Sequence, residues 1–183
     1  MKVLGISGSL RKDSSNTRLI RAARELAPDG MTIEPYDLSS IPPYNDDVRA
    51  AGYPKDVAAF REAIRAADAL LISTPEYNYS VSGVLKNAID WASRPPDQPL
   101  DDKPLAIMGA SGGLSGTMRA QYHLRQMAVF VNLLPLNKPE VMVRSAGDKF
   151  DASGALTDAD TRTHVRKLLE ALAAWTERLA QRH

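Results

Sequence analysis

Short apolar runs alternate with stretches of helical period along most of the chain. Val3-Leu4-Gly5-Ile6 has the length of a strand and is closed by Ser7, Gly8 and Ser9, which predicts a buried strand. Behind it Leu19, Ile20, Ala23, Leu26 and Ala27 share one helical face, and Pro28-Asp29-Gly30 stops the helix. Met31 to Tyr36 reads as a weaker strand, followed by a proline-containing loop, Ile41 to Asp47. A second helix is predicted from Pro54, suited to a first turn, through Val57, Phe60 and Ile64. Ala69 to Thr74 is another buried strand. Val84, Leu85, Ala88, Ile89 and Ala92 mark a third helix, closed by Pro95-Pro96. Leu105 to Met108 is the next strand and Met118 to Met127 the next helix, with both methionines in the core. Between Val129 and Val143, Pro135 and Pro139 cannot donate to a ladder, so a strand there belongs at a sheet edge or is bulged. The last helix carries the stripe Val165, Leu168, Leu169, Leu172 and Leu179, with Thr157 and Asp160 at capping-box spacing.

This alternation predicts one open parallel sheet with helices on both faces. No repeat, low-complexity tract or linker interrupts it, so residues 1–183 read as a single α/β domain. Composition narrows the function. Against 23 basic residues stand 22 acidic ones, a net charge of +1 that offers no nucleic-acid footprint and no strongly acidic docking surface. The absence of cysteine excludes disulfides, thiolate metal sites and a cysteine nucleophile, and it fits a reducing cytoplasm. No apolar run reaches membrane-spanning length, and the apolar N-terminus is too short for a signal peptide.

Three loops follow strands directly, and ligands of such sheets bind beyond the carboxyl ends of the strands. The first loop, Gly8 to Thr17, offers Ser9, Ser15, Asn16 and Thr17 as short donors and Arg11 as a forked cation, ahead of a helix N-terminus. That set suits a phosphate, although Asn16 or Thr17 as a plain helix cap explains part of it. The spaced glycines of a dinucleotide fingerprint and the Gly-Lys-Ser/Thr ending of a triphosphate loop are both missing, which favours a monophosphate. The second loop, Pro75-Glu76-Tyr77-Asn78-Tyr79-Ser80, can pack a flat heteroaromatic ring and bond its rim. Two tyrosines covering the edge of the core explain it equally. The third loop, Ala110-Ser111-Gly112-Gly113-Leu114-Ser115-Gly116-Thr117, by itself reads as a tight turn into the next helix, though its glycines also let a backbone approach a ligand.

Taken together, the residues resemble the NADPH-dependent FMN reductases, especially their chromate- and quinone-reducing branch. The resemblance rests on Gly8-Ser9-Leu10-Arg11 with Ser15-Asn16, on Thr74 to Ser80, and on Leu85-Lys86-Asn87-Ala88-Ile89-Asp90-Trp91. Gln121-Tyr122-His123-Leu124-Arg125-Gln126 and Asn137-Lys138-Pro139-Glu140 complete it. It implies a flavodoxin-like fold, a doubly wound sheet of five strands in the order 2-1-3-4-5. It implies FMN as cofactor, with Ser9, Arg11, Ser15, Asn16 and Thr17 on the phosphate. Pro75, Glu76, Tyr77 and Asn78 would line the isoalloxazine, with Ser111 and Gly112 near its other side. NADPH or NADH would be the electron donor in a ping-pong cycle, and a quinone, flavin, azo compound or metal oxyanion the acceptor. Members are homodimers or homotetramers. Tyr79, Arg119, Arg125 and Glu140 are candidates for contacts between subunits.

A flavin supplies the redox chemistry itself, which explains why the loops hold no acid–base constellation. Two other readings compete. Gly109-Ala110-Ser111-Gly112-Gly113 fits the Gly-x-Ser-x-Gly elbow of a serine hydrolase, and Asp148, Asp151 or Asp158 followed by His164 gives a Ser-Asp-His order. A non-enzymatic flavin-binding electron carrier is the other, against which the net charge of +1 argues. His123 and His183 have no metal-ligand spacing and read as structural or solvated.

Overall fold

The computed structural model describes residues 1–181. The chain runs β1 (Lys2–Ser7), α1 (Ser15–Glu25), β2 (Thr32–Tyr36), α2 (Asp46–Ala51), α3 (Lys55–Ala66), β3 (Ala69–Ser73), α4 (Gly83–Ala92), β4 (Pro104–Ala110), α5 (Met118–Phe130), β5 (Leu134–Pro135), β6 (Val141–Val143) and α6 (Ala159–Ala180). All strand pairs are parallel, in the order β2-β1-β3-β4-β5. The fifth position is shared. β5 pairs with Pro104–Leu105 and β6 with Met108–Ala110, so two short pieces run in turn along one edge of β4. Pro135 and Pro139 account for the break, as each removes a ladder donor.

Every residue of β3 and β4 is buried, because helices cover both faces of the sheet. Alternate side chains enter two separate cores. Ala69, Leu71, Ala106 and Met108 pack with α1 and α6, through Leu19, Ile20, Leu168 and Leu172. Leu70, Ile72, Leu105 and Ile107 pack with α3, α4 and α5, through Phe60, Ile64, Leu85 and Leu124. Each large side chain buried this way stabilises the fold by about 1.5–3 kcal/mol relative to exposure.

Several local expectations change. The loop read from Ile41 to Asp47 leads into α2, a one-and-a-half-turn helix capped by the Asn45 side chain and too short to show a period. Pro54 is the N-cap of α3 rather than its first residue. In α6 the cap is Asp158, which accepts from the Thr161 N–H at 2.9 Å, and not the Thr157–Asp160 pair. Met118 is 42% exposed and outside the core, while Met127 packs half-buried against it. Among the described residues no helix is long and apolar enough to cross a membrane.

Candidate functional site

The chain leaves β1 for the outer strand β2 and returns to β3 on the other side of β1, so the order reverses between β1 and β3. A crevice opens at such a point beyond the carboxyl ends of the strands. Loop 8–14 follows β1 there, loop 74–82 follows β3, and loop 111–117 follows β4. They are held at van der Waals distance. A Cβ on Gly8 would sit 2.9 Å from Pro75 Cδ, and one on Gly109 would collide with the Thr74 carbonyl and the Thr117 hydroxyl.

Residues from all three loops line one cavity of about 240 Å³: Ser9, Arg11, Ser14, Ser15 and Asn16, then Pro75, Glu76 and Tyr77, then Ala110, Ser111 and Gly112. Of the residues singled out in the sequence, Thr17 lies beside it, lining an adjoining groove that shares Ser9 and Arg11. Asn78 lies in the turn that carries Tyr77 rather than on the cavity wall. A larger hollow of about 930 Å³ opens at the opposite end of the sheet, beside Met1, Met31, Asp68 and Lys103. The Lys103 amine is spent there on the Arg65 and Ala67 carbonyls, and none of the three loops reaches it.

In the first loop, five cap-forming residues, Asp13 to Thr17, stand in a row, and Ser14 is the one that caps α1, accepting from the Asn16 N–H. Asn16 is buried, and its side chain clasps the sheet. Its Oδ1 accepts from the Ser73 hydroxyl (2.9 Å) and the Ala110 N–H (3.0 Å), and its Nδ2 donates to the Ala110 carbonyl (3.0 Å). One Nδ2 hydrogen is left over. Thr17 donates to Ser7 at 3.0 Å. The N–H groups of Ser15 and Thr17 in the first turn have no partner among the described residues, and Arg11 is exposed with no acidic partner there. Free amides, an aligned helix dipole and one uncommitted cation are the features that suit an anion.

The second loop is a tight hairpin turn. Tyr77 and Ser80 exchange both backbone hydrogen bonds, and the central residues Asn78 and Tyr79 have φ of 51° and 65°. Two successive left-handed residues make a type I′ turn, which is ordinary for asparagine and uncommon for tyrosine. The turn is fastened from outside. The Arg119 guanidinium lies 3.9 Å over the Tyr79 ring and pairs with Glu76 at 2.6 Å. Glu76 also accepts from the Arg119 and Ala120 N–H groups, supplying the N-terminal cap of α5 that Thr117 does not provide. Ser80 shares a 3.0 Å hydrogen bond with His123 Nδ1. Glu76 thus lines the cavity while its carboxylate holds the helix.

In the third loop the space beyond Gly112 is open, with nothing within 4 Å of where a Cβ would stand. Ser111 is anchored through its backbone, donating to the Val143 carbonyl and accepting from the Ala146 N–H. A nucleophile elbow holds its serine on a strained turn, but Ser111 is not among the residues of positive φ. Among the described residues no triad forms around it. His164 Nδ1 is engaged with the Asp160 carbonyl one turn back on α6, Asp151 with Ser153 and Ala155, and Asp158 with Lys149 and Thr161. The Asp148, Asp151 or Asp158 with His164 arrangement read from the sequence is therefore not assembled. His183 lies outside the described residues.

Sequence reasoning did not find Ser7, Ser14, Ser73 or Ser82. Ser82 caps α4 and also donates to the Gly8 carbonyl, tying the first loop to the second. The bonds of Ser73 to Asn16 and of Ser82 to Gly8 exist only once the strands have paired, whereas the capping by Ser14 is local.

Comparison with known proteins shows the family. The family described as NADPH-dependent FMN reductase matches residues 1–148. An NAD(P)H-dependent FMN reductase of Pseudomonas aeruginosa is 60% identical over 179 residues, covering 98% of this chain and 97% of its own. A quinone reductase of Escherichia coli is 43% identical, covering 98% and 97%. Among solved structures, a flavoenzyme NAD(P)H:(acceptor) oxidoreductase from Paracoccus denitrificans superposes with a TM-score of 0.88 at 35% identity, covering 97% of each chain.

Proposed function

The chain belongs to the NADPH-dependent FMN reductase family, and from that premise we propose that FMN sits in the 240 Å³ cavity where the three loops meet and relays electrons to a quinone. It is an FMN-dependent NAD(P)H oxidoreductase of the quinone reductase kind. The cavity carries the assignment of the site. It joins a phosphate-sized set of free donors to a slot between two loops, with open space beyond Gly112.

In this reading Arg11, the Ser9 and Ser15 hydroxyls and the free amides of Ser15 and Thr17 hold the phosphate. Asn16 adds its spare hydrogen and keeps the helix end in place. Pro75, Glu76 and Tyr77 line one side of the ring system, with Asn78 in the turn behind them, and Ser111 and Gly112 close the other side. When bound, FMN accepts a hydride from the nicotinamide and passes two electrons on. The residues around it bind and orient. None is needed as a nucleophile or base, which is consistent with the spent partners of His164 and Asp158.

The acceptor is a small quinone, with azo compounds and metal oxyanions such as chromate as further substrates of the same open site. Relatives named as quinone reductases support the first. The protein works as a homo-oligomer. Met118, Tyr122 and Val129 form an exposed apolar line along α5, next to Tyr79 and Leu114, of a kind that marks contact surfaces.

The test is to run the two half-reactions apart. Anaerobic NADPH should bleach the bound flavin, and a quinone added after removal of nucleotide should restore its colour, with parallel double-reciprocal lines in steady state. Converging lines, or a flavin that bleaches only when quinone is present, contradict the relay. A monomer in light scattering at micromolar concentration removes the oligomer from the account.

A further inference from the structure

Thr117 stands where the third loop turns into α5, with its backbone in the left-handed region at φ 73° and ψ 18°. Among the described non-glycine residues of positive φ, it alone is β-branched and it alone is buried. Glycine or asparagine adopts that conformation at little cost, whereas a β-branched residue keeps it only where its surroundings hold it there. The helix does not demand it. Thr117 makes no side-chain cap bond, and Glu76 meets the first amides of α5 instead.

The Thr117 side chain sits where two loops leave the sheet. A Cβ on Gly109 would collide with both the Thr117 hydroxyl and the Thr74 carbonyl, so these two oxygens flank the bare face of Gly109. Gly109 leads into Ala110, Ser111 and Gly112, and Thr74 into Pro75, Glu76 and Tyr77, which line the cavity from its two sides. The hydroxyl accepts from Gln121 Nε2 at 3.1 Å, and the same nitrogen donates to the Val141 carbonyl at 3.0 Å. Just before Thr117, a Cβ on Gly116 would stand 2.7 Å from the Met142 carbonyl. The end of the third loop is thus wedged between β4, β6 and α5. Gln121 is buried, and its Oε1 has no partner among the described residues. An apolar side chain would fill that space without stranding an oxygen, which favours a latch over plain filling.

We propose that Thr117 is a positioning residue for the flavin: its side chain, latched by Gln121, is the spacer between the second and third loops and sets the width of the slot that takes the ring system. The proposal rests on FMN occupying the cavity and adds what fixes its two walls. The plain alternative is packing alone, with the slot taking its width from the sheet. On that alternative substitutions at Thr117 change stability and leave the bound flavin as it was.

The experiment compares three variants as FMN-loaded protein. Thr117→Gly removes the spacer but adopts the left-handed backbone freely. Lost packing and relieved backbone then oppose each other, and the melting temperature should stay within about 4 °C of the parent. FMN should dissociate about tenfold more readily on dilution, and the visible absorption band of the bound flavin should shift. KM for a quinone should rise about threefold or more while kcat falls by less. Thr117→Ser keeps the hydroxyl against Gly109, so its flavin affinity, spectrum and KM should return to within about twofold of the parent, whatever its melting temperature. Gln121→Met leaves the hydroxyl in place but unlatched and should move the same readouts in the same direction by a smaller factor. Together with Thr117→Ser it decides the matter if Thr117→Gly does not fold. A Thr117→Gly protein with the parent's flavin affinity, spectrum and KM overturns the proposal, as does a Thr117→Ser protein impaired as much as the glycine variant. Unchanged flavin properties in Gln121→Met overturn the latch. A parent that takes up no FMN overturns instead the functional reading beneath.

Discussion

Asn16 illustrates what a residue can hide. Its position in a serine-rich loop before a helix suggested a phosphate donor or a cap, and both follow from local sequence alone. Its actual partners, Ser73 and Ala110, lie 57 and 94 residues away and exist only once β3 and β4 have paired. Arg11 is the converse. Its side chain has no hydrogen-bond or ion-pair partner among the described residues, so its value lies in what it can bind. Arg11→Ala should weaken FMN binding about ten- to a hundredfold, the equivalent of a charge-assisted hydrogen bond of about 1.5–3 kcal/mol, and leave the melting temperature in place. Ser111→Ala is the matched control. It removes at most a neutral hydrogen bond of about 0.5–1.5 kcal/mol, so bound flavin and NADPH–quinone turnover should stay within about tenfold of the parent. Fluorescence titration and initial rates check both. An unchanged dissociation constant for Arg11→Ala, or activity abolished by Ser111→Ala, contradicts the site.

Among elements, those with a clear period were legible and those without were not. The buried stripes of α1, α3 and α4 and the apolar runs of β1, β3 and β4 announced themselves in the sequence, because burial on one or both faces fixes which residues are allowed. Six-residue α2 has no buried residue and left no pattern. The divided edge strand was foreshadowed by its prolines, but not its split into two pieces. At α5 the cap comes from Glu76, more than 40 residues upstream, which no local signal gives. At α6 it comes from Asp158. The Lys149 ammonium beside it, with the Thr161 hydroxyl and N–H, holds its carboxyl at about 2. An unfolded aspartate titrates near 3.9. The folded value is the lower one, so this stabilisation is complete above about pH 4 and fades as pH falls toward 2. Asp158→Asn keeps a capping oxygen and deletes the charge. Its melting temperature should lie below that of the parent at pH 7, with the gap narrowing steadily as pH falls from about 4 toward 2. A gap of constant size across that range contradicts the role of the charge.

For the whole molecule, averages concealed the features that matter. A net charge of +1 argues against a nucleic-acid partner, yet it hides a groove where unpaired cations gather. The three loops were each ambiguous alone, and the fold brings their ends together at the point where the strand order reverses. The two cores hold that end rigid, so the cavity needs only loop residues to be shaped. A titration of flavin-free protein with FMN and with FAD, followed by calorimetry, tests the site most directly. The first loop is matched to a terminal phosphate dianion, which FAD replaces with a diester of lower charge. One FMN per chain, bound at least about tenfold more tightly than FAD and with the preference diminished in Arg11→Ala, is the predicted result. FAD bound as tightly as FMN, or no flavin bound at all, would contradict the assignment of the cavity.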